Sequence, residues 1–484
     1  MRIKEFSTTR QPNRPQNDRV VLSMVTLALF HFCFLSTEYL FDNRMALFIP
    51  SDAVANAQNL MLGISVIGFV MYGVIYKRLS IDQWKVFSIV GTILCVACVI
   101  LLERQERVTV LYLVGGICFA LMGMAGSVAC YLVSKAIKNY GRLATSIGLS
   151  YALGIFLQYC NHNWIKNQDV EAVMISLLML FFAFCGVRLS QYVDETEGEV
   201  HHHLMPIQNP KVPLAALCAS VFLMTLIFST LDNAITMVHS EGTFDIGQWP
   251  RLLLAVSGVA AGLVYDIRKR IFMPLMMYVI TMLSVISIVI IQLGGSFLFG
   301  LMVFYISAGF FVVFFIASFM DLSYYTKNPR LWAGMGRAIN NLCALVSTGL
   351  TVSLLNSGNL MTILVVAIFL LIGITCCICV YYIPFLNAMM DTEKEAVKRV
   401  AMEEAASQTR SDHLSAFVTA HSFTEREKEI LYELTYNNGS VSDISKELAL
   451  SRASLYRHIE KMNEKTGTGS RVELLQYYYE WKQE

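Results

Sequence analysis

Charge is scarce in this 484-residue chain: Asp, Glu, Lys and Arg make up 15% of it, and 37 basic residues against 36 acidic ones leave a net charge of +1. So small a balance excludes a chain drawn as a whole to nucleic acid or another polyanion. The usual signatures of catalysis are missing too. There is no glycine-rich phosphate loop, no Ser/His/Asp arrangement in a recognisable local motif and no helical pair of metal ligands, so neither an enzyme nor a cofactor is implied. Cysteine is present twelve times, mostly inside apolar runs such as that holding Cys376, Cys377 and Cys379. It follows neither a disulfide framework nor zinc-finger spacing and reads as packing in a reducing or lipid setting. His201, His202 and His203 form a metal-capable triplet without fixed geometry, and no metal is assigned to it.

What is abundant is apolar surface: 55% hydrophobic residues and a mean hydropathy of +0.54 describe a polytopic membrane protein. Residues 1–19 are polar and carry five basic groups, which predicts a disordered cytoplasmic arm. Apolar runs follow at roughly 20–41, 56–76, 84–102, 108–134, 143–162, 170–192, 213–235, 250–265, 271–293, 296–320, 332–355 and 359–384. These make twelve expected spans, the eighth short for the ~20 residues a bilayer needs. The first run has the length of a spanning helix, not of a signal-peptide core.

Basic residues orient the bundle. Lys77, Arg78 and Lys85, then Lys135, Lys138 and Arg142, then Arg268, Lys269 and Arg270, then Lys327 and Arg330 all fall in alternate loops. The other loops hold far fewer, with Arg251 at a border, which places both termini in the cytoplasm.

An internal repeat organises these spans. "GVIYKR" at 73–78 and "GLVYDI" at 262–267 begin 189 residues apart, as do "KNYGRL" at 138 and "KNPRL" at 327; Asp42-Asn43 and Asp232-Asn233 are 190 apart. A shared offset lays spans one to six over seven to twelve. A six-plus-six repeat with a basic loop after the second span of each half resembles the major facilitator superfamily, over roughly 20–385. Its loop motif, Gly-x-x-x-Asp followed by basic residues, is matched from Gly262 to Asp266; the first copy has Lys77 where Asp is expected. In transporters of that family the first copy latches an inner gate, so its loss argues against ordinary transport.

Ionisable and polar groups inside spans are costly and are candidates for function. Glu38 and Asp232 lie toward the outer ends of spans one and seven, at near-equivalent places in the repeat. His31, Gln158, Arg337 and the Asn340-Asn341 pair are expected within reach of a central cavity that would hold a small-molecule ligand.

Residues 386–422 are charged and rich in helix formers, a linker that reads as a helical stalk or a dimer contact. Residues 423–484 then read as four short helices. Thr424 and Glu427 have capping-box spacing before the first, and Ser451 caps the third, about Arg452 to Lys465. The segment holds 9 Lys/Arg against 11 Asp/Glu, so DNA contact would need a local patch. "FTEREKEIL", "SVSDISKELALS", "ASLYRHIEKMNEKTG" and "SRVEL" together resemble the LuxR-type helix-turn-helix domain over nearly its whole length. The resemblance implies a third helix in the major groove, with Arg452, Ser454, Tyr456, Arg457, His458, Lys461 and Lys465 as DNA-contacting candidates. Tyr456 stands where the family has lysine, and the glycine before the second helix is displaced to Gly439.

The expected architecture is therefore all-α: a twelve-span bundle and a C-terminal helix-turn-helix domain. The expected function is a membrane-anchored transcription regulator in a bacterial inner membrane, with duplex DNA, the lipid bilayer and an unknown small molecule as partners and a homodimer on DNA as one arrangement. The alternative is a transporter with a regulatory tail.

Overall fold

The computed structural model describes residues 14–78, 81–137, 142–194, 211–242, 245, 247–324, 326–357, 359–436 and 441–481. The arm up to residue 13, the histidine triplet and Gly439 lie outside the described residues. All regular structure among the described residues is helical, and the chain divides into two compact units, Met1–Ala388 and Met389–Glu484.

The first unit holds α1 (Arg14–Ala46), α2 (Ser51–Ile75), α3 (Ile81–Arg104), α4 (Val108–Ala136), α5 (Leu143–Trp164), α6 (Gln168–Asp194), α7 (Lys211–Ser240), α8 (Leu252–Tyr265), α9 (Met273–Gln292), α10 (Phe297–Ser323), the single turn α11 (Pro329–Trp332) and α12 (Met335–Ser357). α13 (Leu360–Ala420) carries residues of both units. α1 starts at Arg14, before the expected residue 20. Among the described residues ten helices are long and apolar enough to cross a membrane, and two expected spans fall outside that set for different reasons. α8 has only 14 residues, with a 3₁₀ turn at Trp249–Arg251 in front of it. α12 has 23 residues but spends its first turns on Arg337, Asn340 and Asn341.

The sequence repeat reappears as two equivalent seams, α2 along α12 and α5 along α8. Each seam joins one copy of the Gly-x-x-Tyr fragment to the other half, at its basic loop segment in the first seam and at the start of the helix that follows that segment in the second. In the first, Asn328 Nδ2 donates to the Gly73 carbonyl at 3.2 Å, and the Arg330 guanidinium lies 3.9 Å above the Tyr76 ring. In the second, the Asp266 carboxylate accepts from the backbone N–H of Ala144 at 3.1 Å and of Thr145 at 2.7 Å. These are orphan donors at the start of α5, where the helix dipole favours an anion. Arg270, 2% exposed, is fixed between Asp266 at 3.0 Å and Asp321 at 2.6 Å. Lys77 takes the place of Asp266 in the first copy, so an amide and a cation–π contact replace the charged cap there. Farther along the second seam the backbones nearly touch: a Cβ on Gly148 would collide with the Gly258 carbonyl oxygen. Small residues permit this approach, the usual means by which helices associate in lipid.

The second unit has its own core. Ile430, Leu431 and Leu434 of α14 (Glu425–Tyr436), Ile444 of α15 (Val441–Glu447), Leu455, Ile459 and Met462 of α16 (Arg452–Thr466), and Leu474 and Tyr478 of α17 (Arg471–Glu480) pack together. The last turns of α13 join them through Leu414, Phe417 and Val418. Phe417 is fully buried among the rings of Phe423, Tyr478 and Trp481. The capping box forms as its spacing implies, Thr424 N–H donating to Glu427 Oε2 at 2.7 Å and Glu427 N–H to Thr424 Oγ1 at 3.3 Å. α15 and α16 are joined by a turn that places Ala449 at φ 50°, a left-handed conformation.

Candidate ligand cavity and nucleic-acid interface

The first unit encloses a central cavity of about 160 Å³ between its two halves. Glu38, Asp232, Arg337, Asn340 and Asn341 all line it, so five of the polar residues singled out in the sequence converge. Asp42 and Arg251 join them. Glu38 Oε1 accepts from Gln58 Nε2 at 2.8 Å, and Thr236 Oγ1 donates to Gln58 Oε1 at 3.0 Å, which ties α1, α2 and α7 together at one end of the cavity. Asp42 is 7% exposed, and its Oδ1 has no hydrogen-bond partner. At the other end Asn340 Oδ1 accepts from Thr225 Oγ1 at 3.2 Å, and Arg337 lies with its guanidinium carbon 5.0 Å from the Phe34 ring centre and its Nε without a partner. Phe228 and Phe311, stacked 4.4 Å apart, wall the middle.

Gln158 and His31 do not line this cavity. Gln158 supports it, donating Nε2 to the Leu35 carbonyl at 3.0 Å and accepting from Arg251 Nε at 3.1 Å. His31 sits edge-on against Tyr151, 5.2 Å between ring centres, with both ring nitrogens lacking hydrogen-bond partners.

A second polar cluster forms around Tyr39 and Asn43 of α1. Tyr39 Oη lies 2.9 Å from His162 Nε2 and 3.2 Å from Asp245 Oδ1, and His239 Nε2 lies 2.9 Å from Asn43 Oδ1. It joins α1 and α5 of one half to α7 and the following loop of the other. The His162 bond, helped by Gln248 and the Gly247 N–H, holds the Asp245 carboxyl well below the usual carboxylate range. These residues come from four separated places in the chain; only Asn43 belongs to the repeat, and no spacing connects it with Tyr39, His162, His239 and Asp245 as a set.

In the second unit, α16 buries Leu455, Ile459 and Met462 and turns Arg452, Tyr456, Arg457 and Lys461 to solvent. Ser454 is half-buried, its backbone N–H donating to the Ser451 hydroxyl that caps the helix at 3.1 Å, and His458 is half-buried. Arg452 donates to the Ser442 hydroxyl of α15. Arg426 does similar work one helix earlier, its Nη2 donating to the Leu448 carbonyl at 2.6 Å and holding α14 on the end of α15. Lys465 is engaged inside the domain: its ammonium meets Glu427 Oε2 at 2.7 Å and the Ser422 carbonyl at 2.9 Å, above the Phe423 ring.

Burial alone would push the Glu427 carboxyl up, but Lys465 and the Thr424 groups outweigh it and hold the carboxyl below its ordinary value. A carboxylate so depressed contributes stability above its unfolded pKa of about 4.3 and loses that contribution as pH falls through the folded one. Lys465→Met should therefore cost the isolated unit 389–484 on the order of 1 kcal/mol near neutrality and much less once Glu427 is protonated. Thermal melts across an acid titration read this directly. Parallel curves for the two proteins would show that Lys465 does not stabilise the fold through Glu427.

Residues 421–478 match the family model described as bacterial regulatory proteins, luxR family. The C-terminal segment is a LuxR-type helix-turn-helix domain. Membership of that domain family implies DNA binding by this tail. No curated protein matches the chain. Among solved structures, an auto-inhibited POT-family peptide transporter is similar at 9% identity with a TM-score of 0.51, covering 75% of this chain and 96% of that one. The human organic anion transporter MFSD10 (TETRAN) is similar at 14% identity with a TM-score of 0.48, covering 78% of this chain and 99% of that one. At such identities the likeness is one of fold, a transporter-like membrane bundle joined to the LuxR-type tail.

Proposed function

We propose that this protein is a membrane-anchored transcription regulator, in which the transporter-like bundle binds a small molecule and thereby controls promoter binding by the LuxR-type tail. The observation that carries this reading is the pairing, in one chain, of a LuxR-type tail with a bundle whose charged cavity residues include groups that no protein partner satisfies. The loop charges support a bacterial cytoplasmic membrane with both termini inside, on the side where DNA is. Glu38, Asp232, Arg337 and Asn340 are the proposed ligand contacts, with Gln158 positioning Arg251. Arg452, Tyr456, Arg457 and Lys461 are the proposed groove contacts, made by a homodimer if the operator is a palindrome. A ligand acts here only through a difference in affinity between two arrangements of the halves.

The deciding experiment is promoter mapping in cells with and without the protein, followed by reporter output for Glu38→Gln and Asp232→Asn, singly and together, across a panel of inducers. Loss of induction, together with loss of any inducer-dependent change in promoter occupancy, is expected at normal expression, most completely in the double variant. Normal induction in every variant would remove the acidic pair from sensing. A substrate accumulated in vesicles, with no promoter occupied, would favour a transporter with a regulatory tail.

A further inference from the structure

The charges of the central cavity are not mixed at random. Glu38 and Asp232 lie in the outer thirds of α1 and α7, and Asp42 lies one turn beyond Glu38. Arg251 also reaches this end, but its Nε is held by Gln158, so three carboxylates face one cation already in a protein bond. Arg337 is at the start of α12, resting on Phe34, one turn inward of Glu38 on α1. On α7, Thr225 bonds Asn340, one turn from Arg337, and Asp232 follows seven residues later. At a rise of about 1.5 Å per residue these offsets separate the acidic and basic poles by roughly 6–10 Å. Between them stand the stacked rings of Phe228 and Phe311.

We propose that the cavity takes a soluble zwitterion, its cationic end among Glu38, Asp42 and Asp232 and its anionic end on Arg337. At one end three carboxylates outnumber the Arg251 cation, and at the other the Arg337 guanidinium has no carboxylate at salt-bridge distance among the described residues, so a molecule carrying both charges at that spacing supplies a partner at each end. A cation alone would satisfy the acidic pole and leave Arg337 unmatched; an anion alone would do the reverse. The Asp42 Oδ1 without a partner is the sharpest sign of the missing group, because a buried carboxylate oxygen is otherwise satisfied. Phe34 and Phe315 lie 5.0 and 6.0 Å from the Arg337 guanidinium and fix its position without using its hydrogen-bond donors.

This inference rests on the cavity being the ligand site of the proposed regulator, and its test is kept apart from transcription. The purified full chain in detergent is melted in the presence of 6-aminohexanoate, its methyl ester, its N-acetyl derivative or glycine. The zwitterion 6-aminohexanoate should raise the midpoint with a half-saturating concentration about ten-fold or more below that of either blocked form, since each blocked form leaves one buried charge uncompensated. Glycine, with its charges too close together, should not compete. Arg337→Gln should bring the zwitterion and its ester to the same half-saturation, Arg337→Lys should keep them apart, and Asp232→Asn should narrow the gap to the N-acetyl form. Equal responses to the three six-carbon compounds, a response to none, or equal competition by glycine overturns the inference. The assay contains no DNA, so a chain that binds the zwitterion but controls no promoter would end the regulatory reading and leave this one standing. A reporter that responds only to compounds of a single charge would end this one alone.

Discussion

Replacing Arg457 and Lys461 together by alanine should weaken binding to a mapped promoter roughly ten- to hundred-fold and lower the salt slope by about 1.8, near 0.9 for each phosphate left without its cation. Both side chains stand on the exposed face of α16, away from Leu455, Ile459 and Met462, so the fold should not change. A melting curve matching the parent would confirm that the weaker binding arises at the DNA interface. The reason for a large effect is the poverty of other attraction: the segment 423–484 has more acidic than basic residues, and Glu460 and Glu464 share the exposed face. With so few cations at the interface, two of them carry much of the electrostatic term. Titration at two or three salt concentrations settles the matter; an unchanged slope would mean that another surface meets the phosphates.

Arg270→Met should destabilise the membrane unit by about 3–5 kcal/mol, the cost of leaving buried charge uncompensated. Asp266 and Asp321 both depend on this guanidinium, whose side chain is 1% exposed. Midpoints of thermal unfolding in detergent give the measurement. Adding Asp321→Asn to Arg270→Met should recover part of the loss, because it removes one of the two carboxylate charges that the guanidinium bridges. A single variant as stable as the parent would show that the triad contributes nothing, and a double no better than the single would show that charge is not the cause.

The tail was legible because its signals are local. Thr424 and Glu427 are three residues apart and cap the same turn, and Ser451 needs only the N–H of Ser454. Lys465 shows what local reading does not reach: the resemblance set it among the DNA-contacting candidates, and its ammonium also bonds Glu427, 38 residues upstream. In the bundle, the repeat foretold which fragments are equivalent but not that each copy meets the other half at or just after its basic loop segment. Glu38 and Asp232 stood out as charges in apolar runs. Arg251 did not, since a basic residue at a span border is commonplace, and its place in the cavity depends on Gln158, 93 residues away. His31 was conspicuous for the same reason as Glu38 and yet packs against Tyr151. Polarity inside a span marks a constraint without saying whether a ligand or a neighbour imposes it.

The contribution of α13 to the C-terminal core has a practical meaning for anyone who would transplant this tail. A chimera that begins at Phe423, where the family-like sequence starts, would leave Leu414, Phe417 and Val418 behind and open the ring cluster that Phe417 fills. Removing one such buried aromatic ring commonly costs about 3–5 kcal/mol, a large part of the stability of a small domain. His413 would go with it, and with it the bond between its Nε2 and the Trp481 carbonyl at 3.1 Å, which fastens the end of the chain. A functional graft has to start upstream of His413, because the last turns of α13 are part of the C-terminal core and not a spacer in front of it.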